Sequence, residues 1–216
     1  MIHDHAPGRP IQVGVTEWNT TASDWGPGRG KLWTLENALA CARYQNLIHR
    51  HCDLVSIACR SNLTNSFCSG AIQTDNHRLY KTPFYYAQQL YSTIAGDRPL
   101  KIVSSFPVDA GPDLSATLAP TGDAVILLAV NGSPNPISRP LDFSAFAPPG
   151  GSINRAVEVW TLEDTRNAGE PDATNSFAEP ERIAPRRSTF TSASPRFDYR
   201  FPPLSLTVLR WVVGTR

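Results

Sequence analysis

Clustered positive charge is absent from this 216-residue chain: 20 Lys and Arg stand against 19 Asp and Glu, for a formal net charge of +1. Nucleic-acid and membrane-surface binding both draw on a basic block, so neither is expected as a partner class. No apolar run reaches the ~18 to 20 residues of a membrane span. The opening Met1-Ile-His-Asp-His has neither the basic start nor the apolar core of a secretory signal, so the expected location is cytoplasmic. Cysteine is confined to the first third, at Cys41, Cys52, Cys59 and Cys68, with no C-x-x-C pair. That pattern excludes a disulfide framework and gives no zinc or redox motif, so the four are expected to be buried thiols. His49, His51 and Cys52 do not make a metal site either, because helical positions two apart diverge by about 200°. Neither a metal nor an organic cofactor is expected.

What is present is ordinary for a globular protein, 41% hydrophobic and 18% charged, and suits a small neutral substrate. Ile11-Gln-Val-Gly-Val-Thr-Glu-Trp-Asn19 is an apolar, β-branched run that ends in three polar or aromatic residues. It reads as a buried parallel strand delivering side chains at its carboxyl end. Glu17 is the catalytic candidate, since a carboxylate there can attack an anomeric carbon or take a proton. Trp18 beside it offers an apolar face for a sugar ring. A loop rich in Gly and Pro follows, Thr20 to Gly30, whose Trp25 is a second candidate wall.

Thr34 is a candidate N-cap for a helix running to Arg50, with Leu35, Ala38, Leu39, Ala42 and Leu47 as its apolar stripe. His49, Arg50 and His51 at its end complement the helix dipole. Asp53 to Ala58 reads as a second buried strand, giving the strand, helix, strand crossover of an α/β barrel. The polar stretch from Cys59 to Gly70 then brings Arg60, Asn62, Asn65 and Ser66 toward the face of Glu17. Pro83 to Ala95 is a further helix, with proline in its first turn.

From Leu100 the prolines multiply, cysteine stops, and short runs are separated by turns, as in an all-β domain. Strands are expected at Lys101 to Ser104, Ala124 to Asn131, Ser138 to Asp142, Ala156 to Leu162, Phe197 to Phe201 and Ser205 to Val212. An irregular insertion is expected from Glu163 to Arg187. The division falls at residues 1–98 and 99–216.

Thr16-Glu-Trp-Asn19, Leu35-Glu-Asn-Ala-Leu39, Asp53-Leu-Val-Ser-Ile-Ala-Cys59, Pro83, Asn175-Ser-Phe-Ala-Glu-Pro180 and Pro202-Pro-Leu-Ser-Leu-Thr-Val-Leu209, in this order, resemble the carboxyl-terminal half of the family 51 glycoside hydrolases, the α-L-arabinofuranosidases. The resemblance implies the last two βα units of a (β/α)8 TIM barrel followed by a jelly-roll-like β-sandwich. It implies retaining hydrolysis of arabinose-containing oligosaccharides or polysaccharides, with Glu17 as nucleophile at the end of the seventh barrel strand. Trp18 and Asn19 become its neighbours, and Asn62 stands where the family usually has a sugar-contacting Gln. The family's acid/base Glu has no counterpart here, so the chain is expected to be a carboxyl-terminal portion. The resemblance also makes a homo-oligomer the expected assembly. Two other readings are an endo-β-glucanase of the same family and a non-catalytic carbohydrate-binding or structural sandwich.

Overall fold

A computed structural model describes residues 2–5, 7–20, 32–65, 70–107, 111–147 and 155–213; Trp25, Ser66 and Cys68 lie outside them. In chain order the elements are α1 (Ile2–His5), β1 (Val13–Trp18), α2 (Leu35–Arg50), β2 (Val55–Arg60), β3 (Ile72–Thr74), β4 (Leu79–Lys81), α3 (Pro83–Ile94), β5 (Arg98–Leu100), β6 (Asp113–Leu118), β7 (Ala124–Asn131), β8 (Ile137–Asp142), β9 (Arg155–Leu162), β10 (Arg186–Ser192), β11 (Arg196–Phe201) and β12 (Ser205–Val212). The chain is mostly β-sheet, and its organising element is a six-stranded sheet in the order β10-β9-β12-β7-β6-β5.

That sheet is covered on both faces, which explains why all eight residues of β7 are buried. On one face Ile126, Leu128, Val130, Leu206 and Val208 meet Leu35, Leu39 and Ala42 of α2 and Tyr86, Ala87, Leu90 and Tyr91 of α3. On the other, Val125, Leu127, Val157, Val159, Leu209 and Trp211 meet Leu141, Phe197 and Tyr199 of a small antiparallel β8-β11 pair. The alternation of β12 therefore serves two cores. A third cluster, Trp18, Ala38, Cys41, Ala71 and Phe84, joins the far side of the helices to the parallel pair β1-β2.

Helix α2 is held at both ends. Thr34 caps it as its position suggests, accepting from the Asn37 N–H at 3.3 Å. The N–H groups of Leu35 and Glu36, which have no partner inside the helix, donate to the carbonyls of Ala173 and Pro171 at 2.8 and 3.1 Å. The long connection between β9 and β10 is thus irregular but not idle. Asn175 within it, 1% exposed, donates to the Lys81 and Ile183 carbonyls and accepts from the Ile183 N–H.

At the other end of α2 the expected dipole role for His49 is corrected. Its ring is half-buried against the edge of Tyr91, and its Nδ1 lies 3.3 Å from Ser115 Oγ. Ser115 Oγ donates to Asn46 Oδ1, so the geometry calls for Nδ1–H as donor on the histidine. Burial lowers the His49 pKa, while the nearby charges, Arg50 and Asp113, pair with each other at 3.1 Å. A lowered folded pKa means the unfolded chain binds the proton more tightly. This contribution to stability is full above the unfolded value of about 6.5 and is lost as pH falls through it toward the folded value. Thermal unfolding from pH 7.5 to 5 should fall more steeply for the native chain than for His49→Asn; parallel curves would refute this.

Four other expectations need correction. No strand forms at Lys101 to Ser104; pairing occurs just before it, at β5, where Pro99 is tolerated on the edge of the sheet. Strands β3, β4, β6 and β10 were not anticipated. β6 alternates Leu114, Ala116 and Leu118 with Ser115 and Thr117, whose hydroxyls are buried because Asn46 accepts from the first and Thr117 Oγ1 accepts from the Gly96 N–H at 2.8 Å. Cys41 is buried, but Cys52 and Cys59 are exposed. Finally, β1 and β2 are parallel as expected, yet they are not buried strands: Gly14, Thr16, Glu17, Ser56, Ile57 and Cys59 are exposed.

Candidate active site at the carboxyl ends of β1 and β2

Strict alternation along β1 would put Glu17 on the side of Val13 and Val15. The register changes that. Val15 pairs with Ala58 and Trp18 with Arg60, so three residue steps on β1 span two on β2, the count of a bulge. Val15 and Trp18 consequently both turn toward the helices, and Thr16 and Glu17 are both left on the open side. The carboxylate of Glu17 is exposed at the carboxyl end of a parallel strand because of this one extra residue.

The same bulge corrects the part expected of Trp18. Its indole is 8% exposed, packs on Tyr44 of α2 with ring centroids 4.7 Å apart, and presents no face to a ligand. Its buried Nε1 has no hydrogen-bond partner among the described residues. Trp18 acts instead as the anchor that fixes the end of β1 on the helix layer.

Asn19 ties the two strand ends together. Its Nδ2 donates to the Ser61 carbonyl at 2.9 Å, and its Oδ1 accepts from the Thr20 N–H at 2.8 Å and from Arg60 Nη2 at 3.3 Å. The Ser61 N–H donates to the Trp18 carbonyl at 3.0 Å. Thr20 continues inward, its hydroxyl donating to Asn37 Oδ1 and lying 3.4 Å from Cys41 Sγ. Burial pushes the Cys41 thiol pKa up, which makes it a packing group and not a thiolate nucleophile.

Asn62 is exposed beside this junction, and its carbonyl accepts from the Ala71 N–H at 3.2 Å and from Arg60 Nη1 at 3.4 Å. Asn65 is engaged in building its own loop: with φ of 43° it accepts from the Thr74 N–H and donates to Thr74 Oγ1. Glu17, Asn19 and Asn62 are therefore brought to one end of the β1-β2 pair, Trp18 is turned away, and Trp25 lies outside the described residues. Among the described residues no group of three His, Cys, Asp or Glu side chains could hold a metal ion.

An exposed carboxylate on a parallel strand end can supply a nucleophile or base to a neutral polyol. Structures of the same fold have been solved for α-L-arabinofuranosidases. That from Thermotoga petrophila superposes with a TM-score of 0.78 at 21% identity, over 96% of this chain and 44% of its own. That from Thermotoga maritima, as an arabinose complex, gives 0.76 at 22%, over 96% and 44%. That from Xanthomonas axonopodis pv. citri gives 0.72 at 20%, over 97% and 43%. This chain thus spans less than half the length of these relatives. No curated protein sequence matches it. Residues 16–205, beginning one residue before Glu17, match the family described as alpha-L-arabinofuranosidase C-terminal domain, and the chain belongs to that family.

Proposed function

We propose that this chain is the carboxyl-terminal portion of a family 51 α-L-arabinofuranosidase in which Glu17 is the nucleophile of a retaining mechanism. On this reading residues 1–98 are the last two βα units of a (β/α)8 barrel and residues 99–216 its jelly-roll-like β-sandwich. The observation that supports it best is the bulge: it holds Glu17 out on the open side of a parallel strand end, where barrel enzymes place reacting groups.

In the first step a Glu17 carboxylate oxygen attacks the anomeric carbon of an arabinofuranosyl group. The bond from that carbon to the glycosidic oxygen breaks, and the leaving oxygen takes the electron pair. A natural alcohol must be protonated as it leaves, by a second carboxyl about 5 to 5.5 Å from the nucleophile. On this reading that carboxyl belongs to polypeptide lying over the open side of β1 and β2. An activated phenoxide leaves without a proton. The test is therefore to incubate the chain with a dinitrophenyl α-L-arabinofuranoside and look by intact mass and peptide mapping for one pentosyl group on Glu17. Capture at Glu17 supports the proposal, and an unmodified Glu17 sinks it.

The same reading predicts an uneven stability. A two-stranded sheet is marginal alone, and the open side of this one carries Ile57, 59% exposed, so further strands are needed to bury it. Backbone amides of β1 should exchange with solvent at least about 10³-fold faster than those of β7 and β12, reflecting local opening well below the global free energy. Equal protection of β1 and β7 in a monomer would refute this.

A further inference from the structure

Arg60 is the side chain on which the candidate site converges, and neither its charge nor its position at the end of β2 explains its environment. The guanidinium carbon lies 3.7 Å from the centroid of the Phe84 ring, in the first turn of α3. From that stacked position one arm of the fork reaches Asn19 Oδ1, beyond the end of β1, and the other reaches the Asn62 carbonyl, beyond the end of β2. Its positive charge also lies close enough to the Cys41 thiol of α2 to act on it. One planar group thus touches the polypeptide following each strand and the two helices beneath them. Lysine could not substitute, because an ammonium neither stacks flat nor presents a fixed fork. The bulge carrying Glu17 lies between Val15 and Trp18, and Asn19 is the first residue after the strand. Holding Asn19 therefore holds the downstream end of the bulge.

We propose that Arg60 is a positioning residue for Glu17, locking the carboxyl ends of β1 and β2 to each other and to α3 so that the bulge keeps one conformation. The proposal rests on the nucleophile reading above. It differs from a general stabilising role in what it moves. A displacement of about 1 Å at a reacting group costs on the order of 10²-fold in rate, whereas a group whose fork is spent on Asn19 and the Asn62 carbonyl should leave ground-state binding of the sugar nearly unchanged.

The experiment measures covalent capture of the dinitrophenyl arabinofuranoside as a function of its concentration for the native chain, Arg60→Lys and Arg60→Met. Met keeps an apolar stem over Phe84, and Lys keeps the charge. Amide exchange at Ser61, whose N–H donates to the Trp18 carbonyl, is followed in parallel. The expected result is a limiting capture rate lowered ~30- to 100-fold in both variants, a half-saturating concentration within about twofold of native, and exchange at Ser61 accelerated ~10-fold or more. Native capture rates in both variants would overturn the proposal while leaving Glu17 as nucleophile. Ser61 exchange unchanged in both would overturn it as well, since the strand ends would then be held without the fork. Failure of the native chain itself to label overturns the nucleophile reading and the positioning role with it, and is told apart because the variants are not needed to see it.

Discussion

Glu17→Gln should leave the chain folded and abolish its capture of an activated arabinofuranoside. The side chain is exposed at the bulge of β1, so the substitution removes a charge without opening a cavity or orphaning a buried partner. Thermal stability should stay within about 0.5 kcal/mol of native. The carboxamide, however, has no anionic oxygen to form the glycosyl bond, and loss of a nucleophile in a two-step mechanism costs roughly 10³-fold or more. Glu17→Asp gives the graded control. It keeps the charge but withdraws the oxygens by one methylene, and a displacement of that size should cost on the order of 10²-fold. The order native, Asp, Gln in capture rate, with superimposable circular dichroism, is the expected outcome. A Glu17→Gln chain that still labels at the native rate would move the nucleophile elsewhere and end the proposed mechanism.

The physical basis of that prediction was only half legible in the sequence. A β-branched run ending in Glu, Trp and Asn marks a strand and its carboxyl end, and Thr34 with its apolar stripe marks α2; both were readable because they depend on neighbours in the chain. The bulge was not, because it is a property of the register between β1 and β2, set by residues some 40 positions apart. Strict alternation would put Glu17 on the side of Val13 and Val15 and leave Trp18 facing outward, where it could serve as the sugar platform that its position beside Glu17 suggests. One extra residue reverses both assignments. Arg60 stood out in the sequence only as a polar residue after a strand. Its partner Phe84 comes from the next helix, and nothing local announces a stacked guanidinium.

The β half shows the same division. β7 and β12 are unmistakable, since all residues of β7 and all but Arg210 and Val212 of β12 are buried, on both faces. β6 and β10 were hidden by composition: Ser115 and Thr117 look like loop residues until their hydrogen bonds to the helix layer are seen, and β10, Arg-Arg-Ser-Thr-Phe-Thr-Ser, is a polar strand that, among the described residues, forms the sheet edge paired with β9. The insertion between β9 and β10 was recognisable as irregular, but its carbonyls cap α2. That contact makes residues 163–185 part of what fixes the helix under the site.

Trp211→Ala should be the most damaging single change to the fold. The indole is 0% exposed on β12, the strand that β7 and β9 both flank. It stacks on Phe143 at 5.5 Å between centroids with an interplanar angle of 11°, and Phe143 stacks in turn on Phe197 of β11. With Leu209 of the same strand, it is thus a contact through which the central strand grips the outer β8-β11 pair. Truncating a buried Trp to Ala costs roughly 3–5 kcal/mol, the lost transfer energy plus the cavity. At about 2–4 °C per kcal/mol for a domain of this size, unfolding should occur roughly 6–20 °C lower. Trp211→Phe separates packing from polarity. The buried Nε1 has no hydrogen-bond partner among the described residues, so phenylalanine keeps an aromatic face on Phe143 and removes an unsatisfied donor, a gain that offsets part of the cost of the volume lost with the second ring. Its cost should be below about 1.5 kcal/mol. Equal destabilisation by Ala and Phe would mean that the volume of the indole's second ring carries the interaction and that the stack on Phe143 does not. A large loss for Ala with a small one for Phe places the strength of the outer layer in the aromatic column from Trp211 through Phe143 to Phe197.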